Sequence, residues 1–215
     1  MKIDNSSYRI FGRSKGRKKN TQISELVKKI QINKIDKSFF NIIDIGSGYG
    51  ESTIEIGKKN KDYKVIACEK FIDGINNIAK QAQIECIDNI YVFHGNVHQL
   101  LDEYCAENTI SEIWILFPDP WPKNRHFKRR LINDSFFLKV KKFLKHKSYI
   151  HIASDSKSYI SEILNCVFKL KKDYLWVNQS KDDWEYAKLS LPKTKYFKKA
   201  LKNGANPFYI KLIKL

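Results

Sequence analysis

Cysteine is scarce in this sequence of 215 residues, which contains only four. They are widely spaced and include no C-x-x-C pair, so the sequence indicates neither a zinc site nor a dense disulfide framework. Three of the four lie in apolar or helical patterns, which suit buried and reduced thiols. We therefore expect no bound metal and a cytoplasmic location. The cysteines are Cys68, Cys86, Cys105 and Cys166.

Long apolar runs are also missing. No stretch approaches the roughly 18 consecutive apolar residues that a membrane-spanning helix requires. The start of the sequence lacks the apolar centre of a signal peptide. We therefore expect no membrane partner and no export. With 42% hydrophobic residues, the length suits one well-buried domain, and the sequence leaves a monomer and a homodimer equally open.

Acidic residues are few relative to basic ones. There are 40 lysines and arginines against 23 aspartates and glutamates, which gives a formal net charge of +17. Such an excess favours a polyanionic partner, with nucleic acid as the leading candidate. The alternative is the general lysine enrichment of proteins from AT-rich genomes. Charge is densest between Arg9 and Lys19, and we predict a basic arm over residues 1–20, disordered until a partner binds, before a single domain over residues 21–215.

Apolar runs of strand length alternate along the chain with segments of helical spacing. Because the runs are almost continuously apolar, they are typical of a parallel sheet covered by helices on both faces. The sequence therefore predicts an α/β fold with a doubly wound, mostly parallel sheet. Its last segment, FYIKLIKL, is predicted to add an antiparallel strand. The predicted strands before it are Asn41–Ile45, Tyr63–Cys68, Ile90–His94, Glu112–Phe117 and Ser148–Ala153.

A glycine-rich turn follows the first predicted strand, in the motif DIGSGYGES. The order of strand, turn and helix brings backbone N–H groups to the carboxyl end of the sheet, where nucleotide-like ligands bind. The glycines are Gly46, Gly48 and Gly50, so the spacing matches neither a P-loop nor the dinucleotide pattern G-x-G-x-x-G. We predict that Gly46 and Gly48 contact the ligand. An oxidoreductase that uses a dinucleotide stays as a less favoured alternative.

Two acids near this turn narrow the choice of ligand. Asp44, at the end of the first strand, would repel a pyrophosphate but suits the ammonium group of an amino-acid-like ligand. Glu69 ends the second strand, where a carboxylate can accept hydrogen bonds from both hydroxyls of a ribose. Together they predict S-adenosyl-L-methionine as the cofactor. Asn96, past the third strand, would bind the adenine edge; its alternative role is an ordinary helix N-cap.

The segment LFPDPWPKNRHFKRR follows the fourth strand. Two prolines fix the backbone on either side of Asp119, which is predicted to face the same crevice as Asp44. Rigid placement suits methyl transfer, which depends on orientation and on the local electric field. Trp121 is predicted either to stack on a base or to cap the core.

A cluster of cations follows the prolines. We predict that it begins a helix whose charged face contacts a phosphate backbone. The alternative is a solvated helix face without a partner. The cluster consists of Lys123, Arg125, Lys128, Arg129 and Arg130.

The segment FPDPWPKNRHFKRRL closely resembles the signature of the bacterial single-subunit tRNA (guanine-N7)-methyltransferase family. The segments RIFGRSKGRKKNTQ, ASDS and TKYFKKA support the resemblance, which extends from about Arg9 to the end of the chain. It implies a Rossmann-like, S-adenosylmethionine-dependent methyltransferase. It further implies methylation of N7 of a guanine in the variable loop of tRNA, which forms 7-methylguanosine.

The resemblance also implies roles for particular residues. It implies cofactor binding by Asp44, Glu69, Asn96 and Asp119, catalysis by Asp119, and tRNA binding by Lys123, Asp155, Thr194, Tyr196 and Phe197. Phe197 departs from the family pattern, which usually has a glutamate there that is thought to bind the guanine. This departure motivates an alternative function, a catalytically impaired tRNA-binding protein that keeps the cofactor fold. Glu185 is a candidate to replace the missing acid.

Overall fold

The computed structural model describes residues 23–215. The predicted basic arm over residues 1–20 lies outside these residues, as does the segment between Arg9 and Lys19. No helix within residues 23–215 is long and apolar enough to cross a membrane.

The described residues form a sheet of seven strands in the order β3-β2-β1-β4-β5-β7-β6. β1 to β5 are parallel to one another, and β7 is antiparallel to both β5 and β6. The predicted fold class and the antiparallel final strand are confirmed. The strands are β1 Phe40–Ile45, β2 Tyr63–Glu69, β3 Ile90–His94, β4 Ile110–Leu116, β5 Leu144–Ser154, β6 Tyr174–Trp176 and β7 Phe208–Lys214.

Helices cover both faces of this sheet. The helices are α1 Glu25–Ile30, α2 Glu51–Lys59, α3 Ile72–Ile84, α4 Val97–Gln99, α5 Asp134–Phe143, α6 Lys157–Lys169, α7 Lys181–Trp184 and α8 Lys195–Lys202. α4 continues into a π turn over Leu100–Tyr104, and 3₁₀ turns span Asn124–Arg129 and Tyr186–Lys188.

The two faces of the central strands belong to separate hydrophobic clusters. Ile42 packs with residues of α1, α2 and α3, whereas its neighbour Ile43 packs with residues of α5 and α6. This split follows from the alternation of side chains along a strand. Both isoleucines are fully buried, which explains why the strands are apolar on both faces.

A third, smaller cluster lies at the carboxyl end of β4 and β5. It joins Leu116 and Ala153 to Tyr186, Phe197 and Tyr209. The cluster ties α8 and the second 3₁₀ turn to the sheet. It therefore fixes the segments that follow β6 beside the edge at which α/β proteins bind ligands.

Candidate functional site

The glycine turn leaves β1 at this edge and leads directly into α2. Gly46 and Gly48 have φ angles of 72° and 57°, in the left-handed region that favours glycine. A Cβ atom built at either position would meet nothing within 4 Å. The turn therefore has an open side.

Behind the turn, the first residues of α3 approach closely. A Cβ atom added to Gly74 would lie 2.1 Å from the carbonyl oxygen of Gly48. No side chain fits such a gap, so Gly74 permits the contact between α3 and the turn. Sequence analysis did not single out this residue, because its requirement arises only from packing.

Asp44 is 1% exposed and holds the start of α2. Its Oδ2 atom accepts hydrogen bonds from Ser52 Oγ at 2.6 Å and from Thr53 Oγ1 at 2.7 Å. Burial raises the pKa of Asp44 to about 6; the two hydroxyls oppose this rise, and the nearby Glu69 charge adds to it. The predicted contact of Asp44 with an ammonium group stays a prediction.

Glu69 is bound by the backbone around it. Its Oε2 accepts from the N–H of Gly48 at 2.8 Å, and its Oε1 accepts from the N–H groups of Lys70 and Phe71 at 2.6 and 2.8 Å. An ionised carboxylate offers about four acceptor positions, and these bonds occupy about three of them. One position stays open on Oε2. The predicted bonds to two ribose hydroxyls would require Glu69 to release one backbone group.

Asn96 is the N-cap of α4. Its Oδ1 atom accepts a hydrogen bond from the N–H of His98 at 2.7 Å. The structure thus shows the capping role that the sequence left open as an alternative. A contact with an adenine edge would fall to the side-chain NH₂ group, which can still donate.

The proline loop that carries Asp119 is strained at both ends. Phe117 and Trp121, which flank Pro118–Pro120, have φ angles of 55° and 43°. Left-handed backbone at residues other than glycine costs about 1–3 kcal/mol each and persists only where the surroundings enforce it. Two hydrogen bonds to backbone oxygens hold the loop: the N–H of Phe117 donates to Ala153 O at 2.8 Å, and the side-chain Nε of Arg130 donates to Pro120 O at 2.9 Å.

Asp119 projects from this loop with an exposed surface. Partial burial of its carboxyl group raises its pKa above the ordinary value. Within residues 23–215 no hydrogen bond reaches this carboxylate, whereas those of Asp44 and Glu69 have several partners. Its oxygens are therefore available to a ligand.

Arg130 corrects the prediction of a continuous cationic face. It is 2% exposed, forms an ion pair with Glu162 and donates to Ser158 Oγ at 3.0 Å. Its guanidinium group also lies 3.7 Å from the centroid of the Phe127 ring. The side chain of Arg130 is thus buried and stabilises the proline loop, and it does not contribute to the charged surface.

The other cations in this segment also depart from the predicted helix. The segment folds as a 3₁₀ turn of six residues whose first residues have no side-chain cap, and such turns are short. Lys123, Arg125 and Lys128 are exposed. Trp121 is half-buried and lies 5.0 Å from the Arg129 guanidinium group, so it packs within its own segment.

The Thr194–Phe197 motif divides into buried and exposed residues. Thr194 is 7% exposed and caps α8 by accepting from the N–H of Phe197 at 3.2 Å. Phe197 is 4% exposed, with its ring centroid 5.0 Å from that of Tyr186. The prediction that Phe197 contacts the substrate is therefore corrected, because its side chain is packed in the third cluster. Tyr196, by contrast, is 58% exposed.

Tyr196 connects this motif with the predicted cofactor residues. Partial burial raises the pKa of its hydroxyl, and the charges of Asp119, Glu69 and Glu51 raise it further. These charges therefore act on the Tyr196 hydroxyl. Glu51, the first residue of α2, also accepts a hydrogen bond from the N–H of Lys195. We call the region between Tyr196, Asp119 and the glycine turn the mouth.

Two further acids lie outside these contacts. Asp155 is exposed and follows β5, the strand beside β4, so it extends from the same sheet edge as Asp119. Glu185 lies 3.4 Å from Lys188 and is held next to β7 by a bridge to Phe208. Glu51 is the acid that contacts the Thr194–Phe197 motif. The position of Glu51 in DIGSGYGES was visible in the sequence, but its contact with α8 was not.

The carboxylates near the mouth indicate which ligand fits. Asp44, Glu69 and Asp119 place three carboxylates at or just beyond the carboxyl ends of β1, β2 and β4, the sheet edge that carries the open glycine turn, which opposes a polyphosphate and suits a cationic ligand with hydroxyl groups. S-adenosylmethionine has this character, with its sulfonium, ammonium and ribose groups. Within residues 23–215, no three His, Cys, Asp or Glu side chains come together as a metal site.

Comparisons with known proteins support this assignment. The family model described as "Putative methyltransferase" matches residues 39–210. The tRNA (guanine-N(7)-)-methyltransferase of Nitrosomonas europaea is 33% identical over 163 residues, covering 76% of this chain and 71% of the relative. That of Buchnera aphidicola is 32% identical and covers 78% and 69%. The chain belongs to the tRNA (guanine-N(7)-)-methyltransferase family. The resemblance inferred from FPDPWPKNRHFKRRL is thereby confirmed.

Solved structures agree on the fold of this family member. An rRNA methylase from Streptococcus thermophilus aligns with a TM-score of 0.53 and 15% identity, covering 89% of this chain and 93% of that one. A SAM-dependent methyltransferase from Aquifex aeolicus aligns with a TM-score of 0.53 and 12% identity, covering 89% and 88%. At these identities the comparison establishes the methyltransferase fold alone.

Proposed function

We propose that this protein transfers the methyl group of S-adenosylmethionine to N7 of a guanine in the variable loop of tRNA, forming 7-methylguanosine. The proposal places it in the cytoplasm with its substrate. The observation that carries it is the strained proline loop, which follows β4 next to β1 and presents an Asp119 carboxylate with no hydrogen-bond partner among residues 23–215. Membership of the methyltransferase family supports the reaction, and the relatives named above support the substrate.

In this proposal the cofactor lies along the carboxyl ends of β1, β2 and β3. Asp44, Glu69 and Asn96 would hold it, and Gly46 and Gly48 would leave room for it. When bound, S-adenosylmethionine supplies a methyl group activated by a positively charged sulfur. The chain itself contributes placement of that group and of the guanine, which is the main source of acceleration in such a transfer.

The chemistry of guanine N7 requires little acid–base catalysis. N7 is a lone-pair acceptor without a proton, so no base has to remove one. Methyl transfer would form the new N7–C bond as the methyl–sulfur bond breaks, so the positive charge would move from the sulfur, left as a neutral thioether, to the guanine ring. The carboxylate of Asp119 would stabilise that charge as it develops, in a site from which part of the water is excluded. Asp119 therefore acts electrostatically in this proposal, and Asp155 extends the same acidic edge.

Recognition of the RNA would use the exposed residues around the mouth. N7 lies in the deep major groove of A-form RNA, so the target guanine must be in a loop or turned out of its stack. Lys123, Arg125 and Lys128 would contact phosphates, and Tyr196 offers an aromatic face for a base. No observation favours the alternative of a catalytically impaired tRNA-binding protein. Phe197 fills a core position, and Glu51 provides a carboxylate next to the Thr194–Phe197 motif.

The test is a methylation assay with the purified protein, methyl-labelled S-adenosylmethionine and an unmodified tRNA transcript. Nucleoside digestion and mass spectrometry would identify the product. We expect labelled 7-methylguanosine from a transcript with a guanine in the variable loop. A matched transcript with adenine at that position should give none. Binding of both tRNA and cofactor without product would instead support the impaired tRNA-binding protein.

A further inference from the structure

Helix α8 carries an unusual share of positive charge. Its eight residues, KYFKKALK, include four lysines and no acid. At roughly 100° per residue, the four lysines fall within an arc of about 100°. That arc lies opposite Phe197 and Ala200, the two residues that α8 buries. We call Lys195, Lys198, Lys199 and Lys202 the lysine face; all four are exposed.

Among the described residues, no carboxylate pairs with the side chains of the lysine face. Within residues 23–215, none of its members forms an ion pair. Lysines on other helices do, at N–O distances of 2.5–3.0 Å in four of these pairs. They are Lys28 with Glu25, Lys139 with Asp102, Lys141 with Asp173, and Lys169 with Asp134.

This arrangement costs α8 stability. Like charges three or four residues apart on a helix repel each other, and each member of the lysine face has at least one such neighbour. A helix built in this way suits a polyanion that supplies the missing negative charge. General lysine enrichment alone would also place lysines here, but it would not confine them to the one side of α8 that lies opposite its buried residues.

The position of α8 connects the lysine face with the mouth. The N–H of Lys195 donates to the carboxylate of Glu51, and Tyr196 lies close enough to Asp119 for that charge to raise its pKa. The helix thus begins at the mouth and continues for about 12 Å, at 1.5 Å per residue. Phosphates of an RNA that reaches the mouth would meet the lysine face.

Taken together, these observations favour one partner. We propose that the lysine face of α8 is a second surface for the phosphate backbone of tRNA, separate from the cations of the proline loop. This inference rests on the proposed function. Lysine suits such a role because its ammonium group acts as a mobile point charge. A membrane is disfavoured, because an interfacial helix needs its apolar side free, and Phe197 and Ala200 are buried against the core.

The test removes three of these charges together, in the variant Lys198→Gln/Lys199→Gln/Lys202→Gln. Glutamine keeps a helix propensity similar to that of lysine, and Lys195 is retained because it lies at the mouth. The matched control is Lys61→Gln/Lys80→Gln/Lys172→Gln, which removes the same charge from exposed positions on other elements. Circular dichroism and thermal melting would verify that both variants fold.

The measurement is the affinity for tRNA at several salt concentrations. Each phosphate contact contributes roughly 0.7–0.9 to the slope of log affinity against log salt. The α8 variant should lose about 2 from this slope and bind tRNA roughly 10- to 100-fold more weakly near 0.1 M salt. Its KM for tRNA should rise, with kcat unchanged at saturating tRNA. The control should match the unmodified protein.

The outcomes separate the two proposals. If the unmodified protein methylates tRNA and the α8 variant behaves like the control, the lysine face is not an RNA surface. If the unmodified protein neither binds nor methylates tRNA, the proposed function itself fails. Should the triple variant misfold, Lys199→Gln alone should still lower the slope by roughly 0.7. Loss of binding to anionic vesicles, without loss of tRNA binding, would also overturn the inference.

Discussion

Asp119 differs from the other acids at the mouth because it lacks a hydrogen-bond partner among the described residues. Asp44 is occupied by two hydroxyls and Glu69 by three backbone N–H groups. Those two carboxylates are therefore partly structural. Asp119, held by a strained loop and otherwise free, is the residue at which loss of charge should affect chemistry more than folding.

The variant Asp119→Asn tests this role, because it keeps the shape of the side chain and removes its charge. We expect the rate of methylation at saturating tRNA to fall roughly 10²- to 10³-fold, as for other groups that stabilise developing charge. The affinity for tRNA should change less than about two-fold. Single-turnover kinetics and a tRNA binding assay would measure both quantities. Equal losses in the two would contradict the catalytic assignment.

Asp44 should make stability depend on pH. Its pKa rises from 3.8 in the ordinary state to about 6 in the folded protein. The folded state therefore binds more protons between these values, and the free energy of unfolding falls as pH rises from about 4 to 6. A shift of this size corresponds to about 3 kcal/mol. Urea unfolding at several pH values should show that Asp44→Asn removes this fall.

The exposed Asp62 provides the comparison for that experiment. Asp62→Asn should leave the pH dependence as in the unmodified protein. Asp44→Asn should lower the affinity for the cofactor while it raises stability, because the variant removes the charge proposed to hold the ammonium group of the cofactor. Parallel pH curves for the unmodified protein and Asp44→Asn would show that Asp44 ionises without a folding cost.

At the scale of elements, the contact of α3 with the glycine turn determines the shape of the proposed cofactor site. Gly74→Ala would place a methyl group 2.1 Å from Gly48 O, which is backbone and cannot rotate away. We expect a loss of about 1–3 kcal/mol in stability and at least a ten-fold loss of affinity for S-adenosylmethionine. Isothermal titration calorimetry and urea unfolding would measure these two effects.

Gly57 in α2 is the matched control for Gly74. A Cβ atom there would meet two side chains, Ile90 at 3.0 Å and the Oδ1 atom of Asn89 at 3.4 Å, and the Ile90 side chain can shift by a few tenths of an ångström. Alanine also has a higher helix propensity than glycine. Gly57→Ala should therefore leave affinity for the cofactor unchanged. A similar loss in both variants would mean that any added methyl group disturbs this domain.

The elements themselves were predictable where burial determined them. β1 to β5 are covered on both faces, so their residues form continuous apolar runs that are visible in the sequence. β6 was missed because it has only three residues, of which Leu175 and Trp176 face outward. α8 was recognised only as a motif. Its buried side consists of Phe197 and Ala200, too few residues to produce a periodic signal.

The conformation of the proline loop was only partly predictable from the sequence. Its rigidity was predictable from Pro118 and Pro120, because proline fixes φ. The left-handed backbone of Phe117 and Trp121 was not, because no local preference favours it. Burial of Arg130 was equally hidden: its partner Glu162 is 32 residues further along the chain, and only the tertiary fold brings the pair together. Charge counting therefore assigned Arg130 to the surface.

For the whole molecule, ligand-induced stabilisation should discriminate between cofactor classes. A ligand at 100 times its Kd stabilises the folded state by about 2.7 kcal/mol. For a chain of this size that corresponds to a rise of roughly 5–10 °C in Tm. We expect this rise with S-adenosylmethionine and none with NAD, as measured by differential scanning fluorimetry. A larger rise with NAD would revive the dinucleotide-dependent oxidoreductase.

The placement of β7 between β5 and β6 has a consequence for protein synthesis. Tyr209, on β7, belongs to the same cluster as Phe197 and Tyr186, so α8 has no complete support until β7 has joined the sheet. A ribosome releases residues 208–214 only after all other elements have emerged. We therefore expect a nascent chain to form early the glycine turn proposed to hold the cofactor, and to form last the side with α8 that is proposed to contact RNA. An unfinished polypeptide would then be unable to engage tRNA productively.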